Sequence, residues 1–438
     1  MNQGPGASST SLPIERGEPS ALVEDARTRR GRWTAWVLTW VSYATYYLGR
    51  KGISVAKAPI MESLGKDVLR NVETAYLAAY MVGQYVNGML GDRVGARRLV
   101  GVGMLVSAGA CLAFGASSVG IAFLVAFLVN GFAQSSGWPG NAKAMAEWTT
   151  PENRGRVMGV WATCYQAGGI IATWFATFML SLYGWRACFW GPAVGVALVG
   201  VLVLLFLKPG PRAVAVVPGR DVTTIVDFGK MDEASIRALQ REERNRVLRS
   251  PTVWFYGASY FGMKLIRYSI LFWLPFYLTT ALHYSKTGAG YMSISFEVGG
   301  VLGTITMGAM SDRYRHISRS VFAAAWLVLL AGAIFLYAQL GATGTVANFV
   351  MMALVGALLF GPDSLISGAA AQDAGGAYAA ATALGVVNGV GSIGAILQEY
   401  VTRGVSERYG WDKLFYVFVA LAVFSAVCLI PTFRPRKA

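Results

Sequence analysis

Apolar stretches of membrane-crossing length recur along this chain, and no other feature narrows its fold as far. A helix rises ~1.5 Å per residue, so about 20 apolar residues cross the hydrocarbon of a bilayer. About twelve such runs are read, over 34–57, 71–91, 98–116, 119–147, 155–182, 187–207, 252–281, 287–310, 318–339, 345–371, 377–405 and 413–431. Only 14% of the 438 residues are charged, where a soluble domain carries roughly a quarter. The deficit extends along most of the length, so the expected class is an all-α membrane protein with twelve transmembrane helices.

The expected organisation is a disordered N-terminus (1–33), a six-helix bundle (34–207), a polar central loop (208–251), a second six-helix bundle (252–431) and a short tail (432–438). The polar opening, MNQGPGASSTSLPIERGEPSALVEDARTRRG, lacks the charged-then-apolar layout of a signal peptide, so the first apolar run is read as a retained span. The net charge of +15 would suggest nucleic acid on a soluble chain. Here 25 of the 38 Lys and Arg residues fall in alternate loops and the termini, eight fall on the other side, and five lie within spans. The positive-inside rule then predicts that both termini are cytoplasmic. The four cysteines all lie in apolar runs without a CxxC, and there are two histidines. No metal site, cofactor or disulfide framework is expected.

The two bundles echo one another. GMLGDR (88–93) recurs as GAMSDR (308–313), YGWRACF (183–189) recurs as YGWDKLF (409–415), and Arg50 is matched by Arg267. Their offsets of 220, 226 and 217 residues are similar enough to imply a duplicated, pseudo-symmetric architecture of the kind that transporters use.

The five cations within spans are Arg50, Lys51, Lys143, Lys264 and Arg267. An ionised side chain in a span is tolerated where it meets water, a partner or a ligand. Arg50 lies ~24 Å and Arg267 ~22 Å along spans that start on the same side. Two guanidinium groups at one depth, one per half, form an anion clamp, because the planar fork matches phosphate oxygens and stays charged at any working pH. Facing each other at ~10 Å with an effective dielectric of ~20, they repel by roughly 1.7 kcal/mol, so closure of the halves is expected to need a bound anion. Tyr43 and Tyr47 are four apart on the face leading to Arg50. Lys264, three residues before Arg267, is expected on the same face. Asp363 is an unusual acid in the tenth span, read as a partner of Lys264 or Lys51. Lys143 and Glu147 have i,i+4 spacing and read as a local ion pair. The glycines Gly299, Gly303, Gly385 and Gly389 are read as close helix contacts.

The loop GMLGDRVGARR (88–98) resembles the loop signature of the major facilitator superfamily, with GAMSDRYRHISR as a partial second copy lacking the later glycine. That resemblance implies a gating role for Asp92, Arg93, Asp312 and Arg313, as charge pairs that latch the inner face. SYATYYLGRKG, GWPGNAKAMAEW, NRGRVMGVWATCYQAGG, GMKLIRYSILFWLPFYL, FEVGG and LFGPDSLI are similar to the organophosphate:phosphate antiporter family. The resemblance spans all twelve runs. It implies that Arg50 and Arg267 bind phosphate, with Lys51 completing an Arg-Lys doublet. Tyr43, Tyr47 and Tyr80 take cavity positions, Trp138 and Trp161 match family tryptophans, and Glu297 matches an eighth-span carboxylate. The chain departs from the pattern at Gln84, where the family has a lysine, at Tyr165, where one branch has a histidine, and at Phe272, where an acid pairs with the doublet lysine. Lys264 is read as compensation for the lysine missing at 84.

The expected function is exchange of an organic phosphate (sugar phosphate, glycerol phosphate or phosphoglycerate) for inorganic phosphate, by a monomer in a bacterial inner membrane. The alternatives are a hexose-phosphate sensor acting through a partner kinase and a proton-coupled organic-anion symporter served by Glu297 and Asp363. Five cations within spans disfavour an exporter of cationic drugs. An enzyme is disfavoured because the sequence holds no nucleophile–base arrangement, metal site or nucleotide loop.

Overall fold

The computed structural model describes residues 26–56, 59–60, 62, 66–150, 152–210, 233–314, 316–341 and 343–433. Their helices group into twelve crossing segments. In the first half these are α1 (Ala26–Tyr46, continued by Leu48–Val55), α2 (Lys66–Val94), α3 (Ala96–Ala116), α4 (Gly120–Gln134, continued by Gly137–Trp148), α5 (Arg154–Trp161, continued by Cys164–Tyr183) and α6 (Ala187–Phe206). In the second they are α7 (Pro251–Thr280), α8 (Lys286–Arg313), α9 (Arg319–Leu340), α10 (Thr345–Gly376), α11 (Tyr378–Tyr409) and α12 (Trp411–Leu429).

Among the described residues seven segments, α3, α4, α6, α9, α10, α11 and α12, are long and apolar enough to cross a membrane by length and composition alone. The other five are diluted by tyrosine, glycine and charge, and four of them (α1, α2, α5 and α7) carry residues that line the central cavity described below. Ile170, Trp174, Val194 and Leu198 stand more than half exposed on the outside, an apolar surface suited to lipid.

Two stretches differ from the sequence expectation. Residues 26–33 continue α1 as helix instead of belonging to a disordered leader, because good helix formers run straight into the apolar stretch and Gly31 lies against the Trp148 ring. The earlier part of the leader lies outside the described residues, as do 211–232 and 434–438. Within the central loop, Glu233–Leu248 forms a helix, which packs on α11. EASIRALQREERNRVL is rich in strong helix formers, buries Val247, and places Arg246 2.8 Å from Glu243 one turn earlier. Its high polarity reads as loop because only a narrow stripe is buried.

The sequence repeat has a backbone counterpart. Gly184 after α5 and Gly410 after α11 are left-handed, at φ 76° and 84°, and each terminates its helix by donating its N–H one turn back. Each sits in its copy of YGW, so the repeated turn lets α6 and α12 fold back in the same way.

The halves join at the face that carries the α2–α3 and α8–α9 loops, here called the basic face. There α2 packs on α11 and the first part of α5 on α8. A Cβ on Gly88 would lie 2.8 Å from the Ala381 carbonyl and 3.0 Å from Gly385 Cα. Gly155 and Gly159 oppose Gly308 and Thr304 in the matching crossing. Gly299 and Gly303 instead press against Ala353 and Ala357 of α10, within one half.

Candidate functional site

Between the halves lies a narrow cavity walled by Arg50, Lys264 and Arg267, the rings of Tyr43, Tyr47, Tyr80, Trp138, Tyr165, Tyr260 and Tyr268, and Asn388. Both arginines expected from sequence therefore open onto one chamber. None of its lining residues is acidic.

Arg50 follows a break in α1 at Tyr47, whose backbone carbonyl accepts from the N–H groups of both Arg50 and Lys51. Its Nε donates to Gln134 Oε1 at 2.9 Å, and Tyr76 donates to the same oxygen at 3.1 Å. Tyr47 and Tyr80 rings stand 4.9 and 5.3 Å from its guanidinium carbon, positions where a ring face attracts a cation. Nη2 is buried without a hydrogen-bond partner among the described residues.

Arg267 is anchored differently. Its Nη1 donates to both Asp363 oxygens, at 3.0 and 2.9 Å, and the Asp363 side chain is fully buried. Rings of Phe360, Tyr268 and Tyr165 surround the guanidinium at 5.2 to 5.4 Å. Its Nε is buried and without a hydrogen-bond partner among the described residues. The expected partnership of Asp363 with Lys264 or Lys51 thus gives way to Arg267, the cation it directly faces. Lys264 is held by neutral oxygens of α11: Asn388 Oδ1 at 2.5 Å, Ser392 Oγ at 3.1 Å and the Asn388 carbonyl at 3.4 Å.

The remaining site candidates divide. Tyr43 is central to an aromatic cluster with Trp138, Tyr165 and Trp161 at 5.3 to 5.7 Å. Trp161 backs this cluster without lining the cavity, and its indole donates to Thr39 Oγ1 at 3.0 Å. Trp138 donates to the Ser367 carbonyl of the opposite half at 2.9 Å. Gln84 is fully buried outside the cavity wall, with neither amide atom hydrogen-bonded among the described residues. Lys51 and Glu297 are half-buried, attract one another, and do not line the cavity. Phe272 is half exposed, and the acid that acts on Lys51 is Glu297 of α8, without a direct ion pair among the described residues. Gln134, Tyr76, Tyr260, Tyr268 and Asn388 were not singled out from sequence. Tyr260 and Tyr268 flank Lys264 by four residues on α7, a helical-face signal that was available. Asn388 and Gln134 carry no such signal, because their partners lie on other helices.

Asp92 and Asp312, the aspartates expected to gate, occupy equivalent places at the basic face. Asp92 accepts from the N–H groups of Ala381 and Thr382 at 3.2 and 2.8 Å and from the Thr382 hydroxyl at 2.6 Å. Asp312 accepts from the N–H groups of Gly155 and Arg156 at 3.0 and 2.6 Å. Each carboxylate therefore meets the first turn of a helix in the opposite half, where N–H groups converge and the helix dipole favours negative charge. Lys143 pairs with Asp92 at 3.0 Å and only more distantly with Glu147, at 3.8 Å. Asp373 binds both Arg154, across the halves, and Arg319 at 2.8 Å. Arg93 and Arg313 are exposed; the buried arginines of this latch are Arg154 and Arg319.

Residues 39–398 match the family model described as Major Facilitator Superfamily. The chain is 31% identical to "Sugar phosphate exchanger 3" of Gallus gallus, covering 83% of this chain and 78% of that protein. It is 28% identical to "Glucose-6-phosphate exchanger SLC37A2" of Homo sapiens, covering 90% of each. Among solved structures it resembles the proton:xylose symporter XylE bound to 6-bromo-6-deoxy-D-glucose, with a TM-score of 0.72 at 12% identity over 94% of this chain and 97% of that one, a likeness of fold. An all-α membrane architecture, a duplicated six-helix bundle and these matches agree: the chain belongs to the Major Facilitator Superfamily, as a transporter and not an enzyme, within its organophosphate:phosphate antiporter family.

Proposed function

We propose that the protein exchanges an organic phosphate for inorganic phosphate by alternating access, the two bundles rocking about the cavity that Arg50 and Arg267 share. The observation that carries this reading is the pairing of two arginines, one from each half, on one acid-free chamber, each keeping a buried N–H donor without a protein acceptor. A phosphoryl group supplies several acceptor oxygens and a charge of about −2 near neutral pH, so it satisfies both donors at once. The aromatic wall suits the carbon part of the cargo, and the relatives are named for sugar phosphate and glucose-6-phosphate exchange. Arg50, Arg267 and Lys264 take the phosphoryl group in this reading, while Tyr43, Tyr47, Tyr80, Trp138 and Tyr165 shape the chamber. Trp161 and Asp363 act behind the wall, and Lys51 and Glu297 balance charge beside it. Gln84 is assigned to the contact between α2 and α11.

The basic-residue bias makes the latched face cytoplasmic and both termini cytoplasmic. Domain limits follow the helices: a first bundle from α1 through α6 and a second from α7 through α12. The test is counterflow of labelled phosphate in proteoliposomes against glycerol, hexose and three-carbon acid phosphates. Saturable exchange with at least one of them is expected. Phosphate-loaded vesicles that exchange with none would overturn the reading and favour a sensor with the same pocket.

A further inference from the structure

Arg50 and Arg267 are not equivalent halves of a symmetric clamp. Arg50 is positioned by a neutral amide, Gln134, whereas Arg267 is gripped by a carboxylate through both oxygens. Asp363 lies wholly buried on α10, with Lys264 and Tyr260 of α7 and Tyr165 of α5 also within its electrostatic reach. It lines no part of the cavity itself. A carboxylate held on a guanidinium is anionic and accepts from it, so it occupies donor and charge that a phosphoryl group would use.

Resting on the phosphate reading above, we propose that Asp363 is an internal counter-anion: it neutralises Arg267 when the chamber holds no cargo and competes with the phosphoryl group for that arginine when cargo binds. Two consequences follow. The repulsion between Arg50 and Arg267 that opposes closure of an unloaded carrier is reduced, so the unloaded carrier reorients and the protein supports net phosphate flux in addition to exchange. Cargo affinity is correspondingly lowered, because ligand and carboxylate attract the same charge.

Proteoliposomes loaded with labelled inorganic phosphate separate these claims. For the unmodified protein, efflux into phosphate-free medium is expected at a substantial fraction of the exchange rate. Exchange with no net efflux overturns the counter-anion role while leaving the transport reading intact; absence of both overturns the transport reading. In Asp363→Asn, net efflux is expected to fall relative to exchange, and equilibrium binding of inorganic phosphate to the purified full chain is expected to tighten about tenfold. A folded Asp363→Asn protein that binds phosphate equally or more weakly makes Asp363 a mere positioning group and overturns the proposal. If that variant does not fold, the efflux of the unmodified protein decides alone.

Discussion

At the scale of single residues, the proposed clamp depends on fork geometry and on what holds each fork. Lysine retains the charge at either position but replaces a planar set of donors by one ammonium. Arg50→Lys and Arg267→Lys are each expected to lower phosphate exchange by at least about tenfold at unchanged expression and folding. Counterflow rates near those of the unmodified protein in either variant would remove the clamp. Gln134 extends the argument to a residue that sequence did not flag. Gln134→Ala leaves Arg50 Nε and the Tyr76 hydroxyl without their shared acceptor. A KM for phosphate raised roughly tenfold is expected, since an unsatisfied buried polar group costs about 1–3 kcal/mol, while Gln134→Glu supplies an acceptor again and, by binding Arg50 with charge, weakens phosphate binding by competition. The arginine pair was legible because an ion at matching depth in two duplicated spans has few structural explanations. Gln134, Tyr76 and Asn388 were not legible, because an uncharged polar residue in a span usually satisfies itself locally.

At the scale of elements, the helices that build the site are broken where side chains compete with the backbone. Between the two parts of α4, the Ser135 and Ser136 hydroxyls each donate to a carbonyl three residues back, at 2.6 Å. Thr163 does the same at the break in α5, at 2.7 Å. Such back-bonding offers the helix an alternative partner and bends it. The breaks lie beside Gln134, which holds Arg50, and near Tyr165, which lines the chamber. The close-packing glycines also split into two kinds at this scale. Gly303→Leu forces a side chain into the Ala357 backbone within one half, so a destabilisation of about 1–3 kcal/mol, read as a lower thermal midpoint in detergent, is expected. Gly385→Leu meets α2 of the other half. It is expected to leave each bundle folded and instead part the halves, read as greater labelling of a cysteine placed at Ser367 from the basic face. Periodicity and length made the helices visible in sequence; which glycines lie within a half and which lie between halves required the packing.

For the whole molecule, the basic face is closed by two equivalent contacts, each a carboxylate against the first turn of a helix from the other bundle. Hydrogen bonds to a charged group contribute about 1.5–3 kcal/mol apiece, so the pair of contacts holds one conformation without making it permanent. Asp312→Ala removes acceptors from the N–H groups of Gly155 and Arg156 and weakens the hold on Arg319. Increased entry of a thiol reagent to that Ser367→Cys position from the basic face is expected, measured with the four native cysteines replaced. An unchanged labelling rate would mean that the remaining latch, at Asp92, is sufficient. The motif repeat disclosed these aspartates, but it suggested Arg93 and Arg313 as their companions, whereas both are exposed and the buried pairing falls to Arg154, Arg319 and Lys143.

The sequence by itself determined the membrane class, the twelve crossings, the duplication and the presence of one arginine within a span of each half. These follow from hydropathy, spacing and the high cost of isolated charge in a bilayer, all of which act along the chain. Only the tertiary structure decided that Asp363 belongs to Arg267, that Gln134 positions Arg50, and that Asp92 and Asp312 each cap a helix of the opposite bundle. Those partners lie on different helices, and a carboxylate's choice among nearby cations is set by distance and burial, which the order of residues does not encode locally.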